Sequence, residues 1–157
     1  DGVYTIDFED FESKIVAEKA SLFILCTPHN PVGRVWERWE LERLAEICAR
    51  HNVTIISDEI HHDLVCSGKK HIPTATLGIG RVVTTTSASK TFNMAGLQNS
   101  FIILPDPEMR AAFDHYIQGV NVKSGNMAGY IATRAAYEGG AGWLESLLDQ
   151  VLSLIRI

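Results

Sequence analysis

Three side chains in this sequence stand where a scaffold delivers chemistry: the amide of Asn30, the carboxylate of Asp58 and the amine of Lys90. Each closely follows an apolar or β-branched run. Lys90 comes after Arg81 to Thr86 and the hydroxyl-rich Ser87-Ala88-Ser89, and it leads into Thr91-Phe92-Asn93-Met94-Ala95-Gly96-Leu97, so it belongs to a strand end and not to a solvated helix. An ammonium group partly withdrawn from water loses the hydration of its charged form, gives up its proton more readily, and can hold an aldehyde as an imine. A strand-end carboxylate buried alone is costly, so Asp58 calls for a cation or a donor beside it. A protonated pyridine nitrogen would serve. Asn30 is placed to donate to a phenolic oxygen of the same ring, and Ser87 and Ser89 to offer hydroxyls to a phosphate.

The elements that must position these groups are legible from periodicity. Phe8, Phe11, Ile15 and Val16 draw a short amphipathic helix from about Asp7 to Ala20, with Asp7 as its cap. Ser21 to Cys26 is a continuous apolar run, the pattern of a strand buried on both faces, and it ends in the turn chemistry of Thr27-Pro28-His29-Asn30-Pro31-Val32-Gly33. A helix from about Glu37 to His51 carries Leu41, Leu44, Ala45, Ile47 and Cys48 on one stripe, although no good capping residue precedes it. Val53 to Ser57 is a second buried strand that delivers Asp58. Arg81 to Thr86 is a third, Asn99 to Leu104 a fourth, and helices follow over about 107–118, 124–137 and 143–157, the last two separated by Gly139-Gly140-Ala141-Gly142. Strand, helix, strand, crossover, strand predicts an α/β fold with a mainly parallel sheet and flanking helices, in which ligands bind beyond the carboxyl ends of the strands.

Composition narrows the function by exclusion. The 157 residues are 46% hydrophobic and 21% charged, as in an ordinary globular domain. Fourteen basic residues against 19 acidic ones leave a net charge of −5, which provides no electrostatic footprint for nucleic acid or an anionic membrane. Cys26, Cys48 and Cys66 form no CxxC pair and suit a reducing cytoplasm, and no apolar run approaches a membrane span.

Taken in order, Asn30-Pro31-Val32-Gly33, Ser57-Asp58-Glu59-Ile60 and Ser87-Ala88-Ser89-Lys90 resemble the NPxG, SDE(I/V) and SxSK motifs of fold-type I pyridoxal-phosphate enzymes, the class I/II aminotransferase superfamily, in spacing as well as in sequence. Asp58 to Leu64 and Ser89 to Ser100 are similar to the cystathionine β-lyase branch, the MalY/PatB-type C–S lyases. The resemblance covers essentially the whole chain. It implies that residues 1–157 are the central part of a larger pyridoxal-phosphate domain, lacking an upstream segment and a downstream small domain, with 143–157 starting the helix towards that domain. The start at Asp1 and the stop within an apolar helical pattern carry the same expectation.

The resemblance further implies that Lys90 binds the cofactor covalently and later moves the substrate's Cα proton. Asp58 would keep the pyridine nitrogen protonated, Asn30 would bond the 3-oxygen, Ser87 would meet the phosphate, and Asn30-Pro31 would be cis. Aminotransferases usually carry a tyrosine three residues after the aspartate and an arginine eight residues after the lysine; here stand His61 and Gln98. Both replacements favour the lyase branch. The expected activity is α,β-elimination of cystathionine or a related cysteine S-conjugate to thiol, pyruvate and ammonia, in a cytoplasmic homodimer. Transamination is the alternative, and an inert structural fragment of such an enzyme is the alternative from another class.

Other readings of the same residues are weaker. His61, His62, Asp63 and Cys66 fit no usual zinc spacing, and adjacent histidines on an extended segment point to opposite sides. Gly78-Ile79-Gly80 is too short for a dinucleotide fingerprint. Ser87 to Lys90 also satisfies the S-x-x-K pattern of penicillin-recognising acyl transferases, which needs a helix that Asn93 and Gly96 suit poorly. Trp36 and Trp39 read as packing residues.

Overall fold

The structure is a computed structural model that describes residues 2–66, 68–122 and 125–155. Helix α1 (Phe8–Glu18) begins where the Asp7 carboxylate accepts the Asp10 N–H at 2.9 Å, and it ends at Lys19, whose left-handed backbone turns the chain away. Strand β1 (Leu22–Cys26) follows, then helix α2 (Arg38–Arg50). The start of α2 is set by a residue inside its first turn: the buried Glu40 carboxylate accepts the Glu37 N–H at 2.8 Å and pairs with Arg34. This is the returning half of a capping box, so the helix needs no short polar residue before it.

Strands β2 (Thr54–Asp58), β3 (Arg81–Thr86) and β4 (Phe101–Ile103) complete a four-stranded sheet in the order β1-β2-β3-β4. The first three strands run parallel, as the crossover connections require, and β4 returns antiparallel to β3 through a connection of turns and one 3-10 turn, Ala95–Leu97. Helix α3 (Pro107–Gly119) is capped by Asp106, which accepts the Glu108 and Met109 N–H groups at 2.8 and 3.0 Å. Helices α4 (Met127–Gly139) and α5 (Ala141–Ile155) close the chain. The expected start of α4 at Ser124, like the last two residues of the expected final helix, lies outside the described residues. The glycine run is shorter as a break than expected, because only Gly140 stands between the two helices.

The core lies on one face of the sheet. Leu41, Leu44, Ala45, Ile47 and Cys48 of α2, with Ile15 of α1, bury against Leu25 and Ile55. Phe23 meets Phe11 edge-on at 4.7 Å, Trp36 is buried, and Trp39, largely exposed, leans on Phe8 at 5.9 Å. The expectation that β1 is buried on both faces is corrected: Leu22 and Ile24 are 48% and 65% exposed. Successive side chains of a strand alternate between faces, so helices on one side cover only Phe23 and Leu25. On the opposite face Ile56, Val83, Ile102 and Leu104 line a groove with Met109 and Phe113 of α3. Among the described residues no helix is long and apolar enough to cross a membrane.

Candidate cofactor site

Register sets the ends of the first three strands side by side. Cys26 lies opposite Asp58, and Asp58 opposite Thr85, so the three parallel strands end side by side. The ends are tied across the sheet: Thr27 N–H donates to the Asp58 carbonyl at 2.9 Å and Glu59 N–H to the Thr85 carbonyl at 2.8 Å. The turns bearing Asn30, Asp58 and Lys90 therefore leave one edge of the sheet in the same direction.

The Asn30 turn contains two cis bonds, Thr27-Pro28 and Asn30-Pro31. It is closed by His29 N–H to Arg34 carbonyl at 2.7 Å and Gly33 N–H to His29 carbonyl at 2.9 Å, with Gly33 in the left-handed region at φ +69°. Trp36 backs the turn, donating its indole N–H to the Cys26 carbonyl at 3.2 Å while the Arg34 guanidinium covers its ring at 4.7 Å. The Asn30 side chain is exposed. It borders a cleft of about 530 Å³ together with His29, Pro31, His61, Val65 and Cys66. Asp58 is half-buried, and among the described residues its side chain accepts one hydrogen bond, from Ile60 N–H to Oδ1 at 3.2 Å.

Lys90 departs from expectation. It is exposed, on the run of turns over 88–93. Its neighbours are fixed instead. Thr91 is fully buried and donates its hydroxyl to Asp63 Oδ2 at 2.9 Å, and Phe92 packs edge-on against Tyr137 at 5.6 Å and lies 5.8 Å from Trp143. Ser87 is buried as well; its hydroxyl donates to the Asn99 carbonyl at 2.5 Å and accepts the Ser89 N–H at 3.0 Å. The hydroxyl proton thus closes the turn. Ser89 is half-buried beside it, and Gln98 is exposed. Residues 88–93 are turns and not the helix that an S-x-x-K acyl transferase requires.

Two polar networks behind the edge were not foreseen from the sequence. Glu59 is buried and accepts from His71 Nε2 at 2.8 Å, Thr74 N–H at 2.9 Å and the Ser57 hydroxyl at 2.9 Å. Burial opposes its ionisation, but those three partners outweigh burial and hold the carboxyl below its ordinary range. Glu59 stands one residue past the end of β2 and two after Ser57, a spacing present in the sequence; His71 and Thr74 return from the segment after it, which periodicity cannot place. In the second network, residues 60–63 form a turn and not the extended segment expected. His61 lines the cleft, whereas His62 Nδ1 meets the Glu59 carbonyl at 2.7 Å and the Thr86 hydroxyl at 3.2 Å, and its Nε2 lies 3.2 Å from Asp63 Oδ1. The Asp63 carboxylate raises the affinity of His62 for its proton, and the imidazole in turn holds Asp63 below the usual carboxylate range. Burial, with the Asp63 charge, pushes the Tyr137 phenol up.

Residues 2–153 match the family described as aminotransferase class I and II. The chain is 47% identical over 154 residues to cystathionine beta-lyase PatB of Bacillus subtilis, covering 96% of this chain and 40% of that protein. It is 36% identical over 142 residues to protein MalY of Escherichia coli, covering 90% and 36%. The chain therefore spans about two fifths of the length of these curated relatives. The crystal structure of the PLP-bound C-S lyase from Staphylococcus hominis superposes with a TM-score of 0.88 at 40% identity, covering 95% of this chain and 38% of that one.

Proposed function

Since the chain belongs to the aminotransferase class I and II family, we propose that it is the cofactor-holding part of a pyridoxal-phosphate-dependent C–S β-lyase, a larger protein that cleaves cystathionine or a related cysteine S-conjugate to thiol, pyruvate and ammonia. The observation that carries the reading is that β2 ends at Asp58 between two parallel strands, β1 and β3, whose following turns bear Asn30 and Lys90. What supports the fit to such a cofactor is the availability of the groups: Lys90 and Asn30 are exposed, and Asp58 has carboxylate capacity unused by the described residues. When bound, the pyridine ring supplies an electron sink for a carbanion.

The roles of the chain's residues follow from their chemistry. Lys90, exposed on an anchored turn, holds the aldehyde and carries the substrate's Cα proton. Asp58, an acceptor at a strand end, keeps a ring nitrogen protonated. Asn30 donates its amide N–H to the phenolic oxygen, with His61 beside it on the same cleft. Ser89 offers its hydroxyl to the phosphate, and Ser87, whose proton is engaged with Asn99, supports that turn and retains only acceptor capacity unless the bond is exchanged. His61 and Gln98, where aminotransferases carry tyrosine and arginine, favour elimination over transamination, and so do the names of PatB and the S. hominis enzyme. The full-length protein is expected to be a homodimer acting on small amino acids.

The test uses the full-length protein. Purified enzyme is expected to show visible absorbance from bound pyridoxal phosphate that Lys90→Ala abolishes, and to release pyruvate from cystathionine. Stoichiometric amino transfer to a keto acid without pyruvate would overturn the lyase assignment. Absence of the Lys90-dependent band would overturn cofactor binding itself.

A further inference from the structure

Lys90 is exposed, yet the residue after it is among the most deeply buried polar side chains of the structure, with Thr91 at 0% exposure. A buried hydroxyl needs a partner, and this one is supplied by Asp63 from a different crossover, 28 residues away. Asp63 is itself held from both sides. His62 Nε2 lies 3.2 Å from its Oδ1 while the other ring nitrogen is anchored to the Glu59 carbonyl and the Thr86 hydroxyl, and Tyr137 of α4 faces the same carboxylate. Among the described residues, the buried Glu59 and His71 also lie near the imidazole, the His71 ring 5.9 Å from that of His62. A charged acceptor with two fixed neighbours gives Thr91 one position, and the position of Thr91 constrains the adjoining Cα of Lys90.

We infer that Asp63 is a positioning residue for Lys90, acting through the Thr91 hydroxyl to hold the turn from which the amine reaches its carbon partners. The inference rests on the assignment of Lys90 as the cofactor lysine. Its physical content is that a long, exposed side chain has its root immobilised, so the amine sweeps a smaller volume and spends more time at the reacting atom.

The experiment compares Thr91→Val, Thr91→Ser and Asp63→Ala in the full-length holoenzyme, reading the pH midpoint of the visible absorbance of bound pyridoxal phosphate, kcat and KM separately, and thermal midpoint. Loss of the hydroxyl in Thr91→Val is expected to move the absorbance midpoint and to lower kcat about ten- to a hundredfold, the scale of a misplacement near 1 Å, with KM little changed. Thr91→Ser, which keeps the donor, recovers the midpoint, and Asp63→Ala reproduces the Thr91→Val shift. If Thr91→Val cannot be purified folded, the Asp63→Ala and Thr91→Ser pair decides by the same readouts. A folded Thr91→Val or Asp63→Ala enzyme with midpoint and kcat within twofold of wild type overturns the inference and leaves the Lys90 assignment standing. A wild-type protein without Lys90-dependent absorbance overturns both.

Discussion

At the scale of single residues, the pairing of His62 with Asp63 gives a titration whose sign can be worked out. His62 takes its proton more tightly in the fold than its ordinary value of 6.5, mainly because Asp63 accepts from it. Its contribution to stability is therefore complete below about pH 6.5 and is lost as pH rises through the folded midpoint. Asp63, held below its ordinary 3.8 chiefly by His62, contributes above that value and loses its contribution as pH falls through its own folded midpoint. The pair stabilises the fold most between these limits. Nuclear magnetic resonance of the imidazole is expected to show a His62 midpoint above 6.5 in the wild type that drops towards 6.5 in Asp63→Asn. An unchanged midpoint in that variant would mean that the backbone carbonyl of Glu59, and not Asp63, governs the ring.

At the scale of elements, the Lys90 turn is gripped at three points by segments distant in the chain. Ser87 holds Asn99, which donates in turn to the Thr133 hydroxyl of α4 at 2.9 Å; Thr91 holds Asp63; and Phe92 fills the junction of α4 and α5. Gly140 makes that junction possible. Its backbone, at φ −88° and ψ 0°, is one that other residues adopt, so the requirement for glycine is spatial: a Cβ would stand 2.5 Å from Phe92 Cε1 and would also strike the Ala136 carbonyl. Gly140→Ala is accordingly expected to destabilise the protein by about 1–3 kcal/mol, the usual cost of overpacking, measured as a lowered midpoint in urea. Gly139→Ala, where a Cβ meets nothing within 4 Å, serves as the neutral control.

At the scale of the whole molecule, one face of the sheet carries the packed core and the carboxyl edge carries the proposed site. Ile47, at 0% exposure in that core, tests the division: Ile47→Ala is expected to cost about 2–5 kcal/mol in denaturant unfolding, because the cavity left by a deleted side chain collapses only in part. The sequence by itself determined the order of the elements, the cap Asp7, the parallel run of strands and the three motif turns, since these depend on local periodicity, capping and turn chemistry carried by neighbouring residues. It also contained the family resemblance, and with it the expectation that Asn30, Asp58 and Lys90 form the site. Only the tertiary structure decided that β1 is covered on one face, that Lys90 is exposed while Thr91 is buried, and that Ser87 spends its proton on Asn99. Only the tertiary structure, too, assembled the Glu59–His71 and Asp63–Thr91 links. These depend on partners 12 to 28 residues apart brought together by the crossovers, and periodicity along a chain states which face a residue occupies without stating what will stand opposite.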